Sequence, residues 1–129
     1  MIVVDASVVV EALVGDSGAD ATRARLAADE LWAPDHLEVE IASALRGLWL
    51  AGRIDDDRLS RAVDDLAQLR VERHPSASLV RAALRHRSNL TTYDAMYVAL
   101  AEVLGCTLVT GDRRLAAASG IDCDVEVVG

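Results

Sequence analysis

A chain of 129 residues with a formal charge of −8 has the length of one domain and enough of it to bury an ordinary core without disulfide or structural metal. That acidity excludes broad electrostatic affinity for polyanions, although a cation bound in an acidic cluster can supply positive charge locally. Phe is absent, all 13 basic residues are arginine, and the two cysteines have neither zinc spacing nor the density of a secreted scaffold.

The expected interior is therefore aliphatic, with Cys106 and Cys123 as small buried thiols of a reducing cytoplasm. The opening Met1-Ile2-Val3-Val4-Asp5 has no basic start or sustained apolar run, and no stretch reaches membrane-span length. A soluble, cytoplasmic protein with no membrane attachment is the expectation.

Short apolar runs alternate with longer periodic stretches, the pattern of an α/β domain with a mostly parallel sheet. Residues 2–5 read as a first strand, 7–14 as a short helix capped by Ser7, 18–28 as a second helix, and 31–33 as a strand stopped by Pro34. Asp35-His36-Leu37-Glu38 resembles a capping box that opens a helix to about 51, closed by Gly52. Helices are predicted over 55–70, 77–87 and 93–104, the last ended by Gly105. Strands are predicted over 71–74, 106–110 and 125–128, the last at a sheet edge, with a short helix over 113–118. No repeat or linker interrupts them.

Four acids then stand out. Asp5 ends the first strand, and Asp112 follows the apolar run that stops at Val109; ligands of open parallel sheets bind beyond the carboxyl ends of strands. Either residue alone reads equally well as a helix cap. Glu40 lies within the stripe formed by Leu37, Ile41, Ala44, Leu45 and Leu48, whereas Glu38 points away and reads as the capping partner. An inward carboxylate is costly unless it is paired or metal-bound, the alternative being a stripe-edge Glu bent out to solvent. Asp94 shares one face with Tyr97, Val98, Ala101 and Leu104, but also completes a capping box with Thr91. Acids gathered as bare anions raise one another's pKa or need a cation between them. Hard oxygen ligands select magnesium or manganese, the apparatus of metal-assisted phosphodiester cleavage.

Four segments in order carry a family resemblance: Ile2-Val3-Val4-Asp5-Ala6-Ser7-Val8, Glu38-Val39-Glu40-Ile41-Ala42-Ser43-Ala44-Leu45, Leu90-Thr91-Thr92-Tyr93-Asp94-Ala95-Met96-Tyr97-Val98-Ala99-Leu100-Ala101, and Leu108-Val109-Thr110-Gly111-Asp112-Arg113-Arg114-Leu115-Ala116. Together they resemble the PIN-domain family, and within it the VapC ribonuclease toxins of type II toxin–antitoxin systems. The resemblance implies a single PIN domain over residues 1–129, built as a three-layer α/β/α sandwich around a parallel sheet of about five strands. It implies a magnesium- or manganese-dependent endoribonuclease with Asp5, Glu40, Asp94 and Asp112 as catalytic metal ligands. It places supporting hydroxyls at Ser7 and Thr110, and it implies a homodimer, an RNA substrate and a VapB-like antitoxin.

Arg113 and Arg114 follow the strand-end acid and are candidate contacts to an RNA backbone. His36, His74 and His86 show no ligand spacing and read as ordinary, Asp55-Asp56-Asp57 as a helix start, and Trp32 and Trp49 as core or interface anchors. A phosphoacceptor receiver domain or a dehalogenase-like phosphatase ordinarily needs a lysine, and this chain has none; neither a phosphate-loop lysine motif nor G-x-G-x-x-G occurs. A PIN nuclease of RNA or DNA without a toxin role, and a catalytically idle PIN binding module, are the remaining alternatives.

Overall fold

Five strands, β1 (Ile2–Val4), β2 (Leu31–Pro34), β3 (Val71–His74), β4 (Thr107–Thr110) and β5 (Val125–Val127), form one sheet in the order β3-β2-β1-β4-β5 in the computed structural model, which describes residues 1–129. Every pairing is parallel. Each connection must therefore cross over, and right-handed crossovers fix which face it covers. From β1 the chain steps outward to β2 and β3 through α1 (Ala6–Val14), α2 (Asp20–Ala27), α3 (Leu37–Leu50) and α4 (Asp56–Gln68), which pack on one another. From β3 it must return past β1 to reach β4. It does so through α5 (Val80–Leu84) and α6 (Thr92–Leu104), with α6 packed on β1, β2 and β4. The short α7 (Arg113–Ala117) then leads to β5. The result is the three-layer α/β/α sandwich that the family resemblance implies.

The core is aliphatic. Val3, Val4, Val8, Val9, Leu37, Ile41, Val98, Leu100, Leu108 and Val109 are fully buried, with Tyr97 as the large exception to the aliphatic rule. Gly105 ends α6 in the left-handed region at φ 64°, where its N–H returns to Glu102 O; a residue without Cβ takes that conformation without strain. No helix is long and apolar enough to cross a membrane.

Several expectations change in detail. Asp5, not Ser7, caps α1, because its carboxylate accepts from the Val8 N–H. No capping box forms at 35–38. The N-cap of α3 is His36 without a side-chain cap bond, Asp35 accepts from Ser76, and Glu38 is drawn to the Arg73 guanidinium on β3. A charge-assisted bond to a neighbouring strand outcompetes a neutral backbone donor. The second helix is divided into a 3-10 turn, Ser17–Ala19, and α2. The predicted 77–87 helix shrinks to a 3-10 turn, Ser76–Leu79, followed by α5. Ala44 is exposed, so the buried stripe of α3 is Leu37, Ile41 and Leu45. Cys106 and Cys123 are free and only half-buried. Trp49 is 43% exposed and donates Nε1 to Asp56 at 2.6 Å, so it is not a core residue.

Candidate functional site

Chain direction through the sheet reverses between β1 and β4: from β1 the next connection runs toward β2, from β4 toward β5. A crevice opens at the carboxyl ends of strands that flank such a switch point. Asp5 follows β1 and Asp112 follows β4, so topology alone places two of the candidate acids on the two lips of that crevice. α6, packed across β1, β2 and β4, begins at Thr92 and brings Asp94 on its first turn.

Asp5 is the anchor. It is 6% exposed and accepts from Ser7 Oγ at 2.6 Å, from the Val8 N–H at 3.3 Å and from Thr110 Oγ1. Ser7 Oγ in turn accepts the Gly111 N–H at 3.0 Å, and Thr110 Oγ1 accepts the Asp112 N–H at 3.0 Å. Both hydroxyls that the family resemblance singles out thus touch the Asp5 carboxylate. Burial pushes the Asp5 carboxyl above its ordinary value; its hydrogen bonds oppose that rise, and the charge of Asp94 adds to it.

Asp94 receives no cationic partner within bonding distance. Thr91 caps the helix by accepting the Asp94 N–H at 3.2 Å, as expected. Burial raises the Asp94 carboxyl too, and Asp112 repels it further, against the weaker pull of Arg114. Asp112 behaves oppositely. Its carboxylate accepts from Arg114 Nε at 3.2 Å, Nη2 at 3.1 Å and the backbone N–H at 2.9 Å, and these bonds lower its pKa. Arg114, whose side chain is 91% exposed, is therefore turned back onto Asp112, while Arg113 faces solvent.

Glu40 enters from α3. Its Oε1 is buried without an aligned hydrogen-bond donor, although His36 Nε2 stands 2.8 Å away. Tyr97 Oη is likewise buried and unpartnered. Burial above all, and then the Glu40 and Asp5 charges, push the Tyr97 phenol far above its usual range. His36 also lays its ring against Tyr97, with centroids 5.0 Å apart. Pattern alone marks His36 as ordinary and Tyr97 as part of an apolar helix face, and so misses both. The signal that could find His36 is spacing, because His36 and Glu40 are four residues apart and share a helix face.

Asp94 thus acts on Asp5, Asp112 acts on Asp94, and Glu40 and Asp5 act on the same tyrosine. No three Asp, Glu, His or Cys side chains close into a ready-made cage. Repulsion between carboxylates holds such groups apart, and Asp112 is engaged by Arg114. The donor set nevertheless fits a hard divalent cation: it is all oxygen, with a buried Glu40 oxygen that accepts no aligned hydrogen bond and two aspartates desolvated by burial. Asp5, Glu40, Asp94 and Asp112 are the residues available to hold it.

His74 lies at the end of β3 and takes no part. His86 is buried, with Nε2 2.8 Å from Glu102 Oε1, and ties the end of α5 to α6. Asp55 caps α4 by accepting from the Arg58 N–H at 2.7 Å, the helix-start role expected for that acid run.

The class is then plain: a doubly wound α/β domain that collects carboxylates at the carboxyl ends of its central strands. The chain belongs to the PIN-domain family, whose model matches residues 2–121. It is 42% identical to the ribonuclease VapC9 of Mycobacterium tuberculosis H37Rv over 99% of this chain and 98% of that protein. It is 43% identical to the ribonuclease VapC1 of the same organism, covering 98% of this chain and 96% of the relative. Among solved structures, PAE2754 from Pyrobaculum aerophilum superposes with a TM-score of 0.63 at 30% identity, over 90% of this chain and 84% of that one. The M. tuberculosis toxin VapC20, which cleaves the sarcin–ricin loop, matches in fold with a TM-score of 0.69 at 18% identity, over 94% and 96% of the two chains.

Proposed function

We propose that the chain is a magnesium- or manganese-dependent endoribonuclease that acts as the toxin of a VapBC-type toxin–antitoxin pair. The observation that carries this reading is the Asp5 cluster: a buried carboxylate at the topological switch point, oriented by two hydroxyls and coupled electrostatically to Asp94, and through it to Asp112. Full-length relatives named ribonucleases at 42–43% identity support the chemistry and the class of substrate. The same proposal includes a homodimer restrained by a VapB-like antitoxin. The exposed Val39, Trp49 and Leu50 of α3 offer apolar surface for such an assembly.

Asp5, Glu40, Asp94 and Asp112 would hold the divalent ion, which when bound would supply activation of a water and compensation of charge on the departing oxygen of the phosphodiester. The protein's own part is positional. Thr110 and Ser7 hold the Asp5 carboxylate in one orientation, the α6 cap fixes Asp94 on its first turn, and Tyr97 and His36 confine Glu40. In this reading Arg113 and Arg114 at the rim meet phosphate, Arg114 by exchanging Asp112, to which it donates, for the substrate.

The purified protein is expected to cut RNA with magnesium or manganese and to stop with chelator. Asp5→Asn should abolish cutting while the protein stays folded, and the same substitution should relieve growth arrest in an expressing bacterial host. Metal-independent cutting, or full activity in Asp5→Asn, overturns the proposal.

A further inference from the structure

Tyr93 is an aromatic residue that the fold does not use. It is 65% exposed, more than either tryptophan, and sits in the first turn of α6 immediately before Asp94. Exposed aromatic surface is unfavourable in water, and Trp49, the other exposed large aromatic, at least satisfies its indole N–H on Asp56. No hydrogen bond holds the Tyr93 hydroxyl to the protein, and the nearest ring is that of His36, with centroids 6.3 Å apart and planes tilted by 58°. His36 in turn rests on buried Tyr97. An open phenol ring is thereby backed by a half-buried imidazole, on the rim beside Asp94 and on the same crevice as Asp5 and Glu40.

Charge around it is arranged in the same sense. Asp94 lies within the field of both Asp112 and Arg114, so one neighbouring residue along the crevice carries a cation and the other an aromatic face. Such a pairing suits a nucleotide whose phosphate is held near the acids while its base leaves the stack. Aromatic side chains bind unpaired bases by stacking with little sequence preference, and proteins read RNA chiefly where bases are splayed out of a helix.

We propose that Tyr93, backed by His36, is a stacking platform for the unpaired nucleobase next to the scissile phosphate. This rests on the ribonuclease reading, from which its test is separable. Because Tyr93 is exposed, its replacement leaves the core intact.

Binding is measured in the Asp5→Asn background by fluorescence anisotropy with a labelled, mixed-sequence single-stranded oligoribonucleotide, and with the same strand annealed to its complement. A second readout places 2-aminopurine in the single strand and follows its quenching. Adding Tyr93→Ala is expected to weaken single-strand binding about tenfold and remove the quenching, with Tyr93→Phe and Tyr93→Trp close to the parent and duplex binding unchanged. In the active protein the same Tyr93→Ala raises KM more than it lowers kcat. Equal binding by Tyr93→Ala and its parent, or a Tyr93→Phe as weak as Tyr93→Ala, overturns the platform while leaving cleavage by the wild type as evidence for the nuclease. A wild type that binds single strands through Tyr93 but never cuts them keeps the platform and defeats the nuclease reading. A protein that binds no single-stranded RNA defeats the platform outright.

Discussion

Thr110 and Asp5, 105 residues apart in sequence, share a buried hydrogen bond in which the threonine hydroxyl donates to the carboxylate. The same hydroxyl accepts the Asp112 N–H at 3.0 Å, so one side chain at the end of β4 orients one candidate ligand and positions the backbone of another. Thr110→Val keeps the shape and deletes both bonds. It is expected to lower stability by about 1–2 kcal/mol, because the Asp112 N–H and the buried carboxylate each lose a partner. Manganese affinity should fall about 10–100-fold, the usual effect of losing an outer partner of a metal ligand. Denaturant melts and calorimetric titration check the two numbers separately, and Thr110→Ser should recover most of both.

The acids set a pH dependence of definite sign. Burial lifts the Asp5 and Asp94 carboxyls above their ordinary 3.8. A carboxyl raised in the fold contributes stability that is complete below the ordinary value and is lost as pH climbs through the raised one. Asp112, lowered by Arg114, runs the other way: its contribution is present above 3.8 and lost as pH falls through its lowered value. In chelator, Asp5→Asn should therefore flatten the loss of stability with rising pH just above the ordinary carboxylate range. Manganese should raise the wild-type Tm more at neutral pH than at the acidic end of that window and release protons on binding there. Thermal melts across pH, with and without the ion, test this. A manganese effect independent of pH contradicts it.

Arg113 and Arg114 are predicted to act on substrate, not on folding. Arg114 is almost fully exposed and Arg113 is exposed, so charge reversal at both should leave Tm within a few degrees. RNA cleavage should weaken. The salt dependence of single-strand binding should become shallower by about 0.7 in log–log slope for each phosphate that is no longer neutralised. Unchanged cleavage and unchanged slope would remove both residues from the interface.

Two substitutions away from the site calibrate stability. Leu100 is fully buried in α6, so Leu100→Ala should lose about 2–5 kcal/mol through transfer and cavity terms together. At Gly105 an added methyl group meets open space, since no other part of the protein lies within 4 Å of it, yet φ is +64°. The expected loss for Gly105→Ala, about 1 kcal/mol, comes from the left-handed backbone alone, and Gly105→Asn should lose less. Equilibrium urea unfolding distinguishes the two sizes of effect.

Much of this architecture is legible in local sequence. Residues 71–74 and 107–110 are β-rich runs bounded by proline, glycine or a helix, and the strands form where those signals stand. The Thr91 cap and Gly105 stop of α6 are local chemistry, and they hold. Local signals fail where a distant partner competes: Glu38 leaves its helix start for Arg73, Asp35 goes to Ser76, and Ser7 gives up the cap to Asp5.

The sequence by itself determined the order of strands and helices and the identities of the four acids, because burial period, caps and breakers act between residues a few positions apart. Tertiary structure decided which acids are neutralised and which are strained: Asp112 by Arg114, Glu40 beside His36 and Tyr97, Asp5 under Thr110. It also decided that Tyr93 stays outside the core while Tyr97, one helical turn on, is buried. The reason is geometric. Crossovers of opposite direction carry β1 and β4 side by side and pack α6 against them, and only that closure converts carboxylates remote in sequence into groups that act on one another's charge.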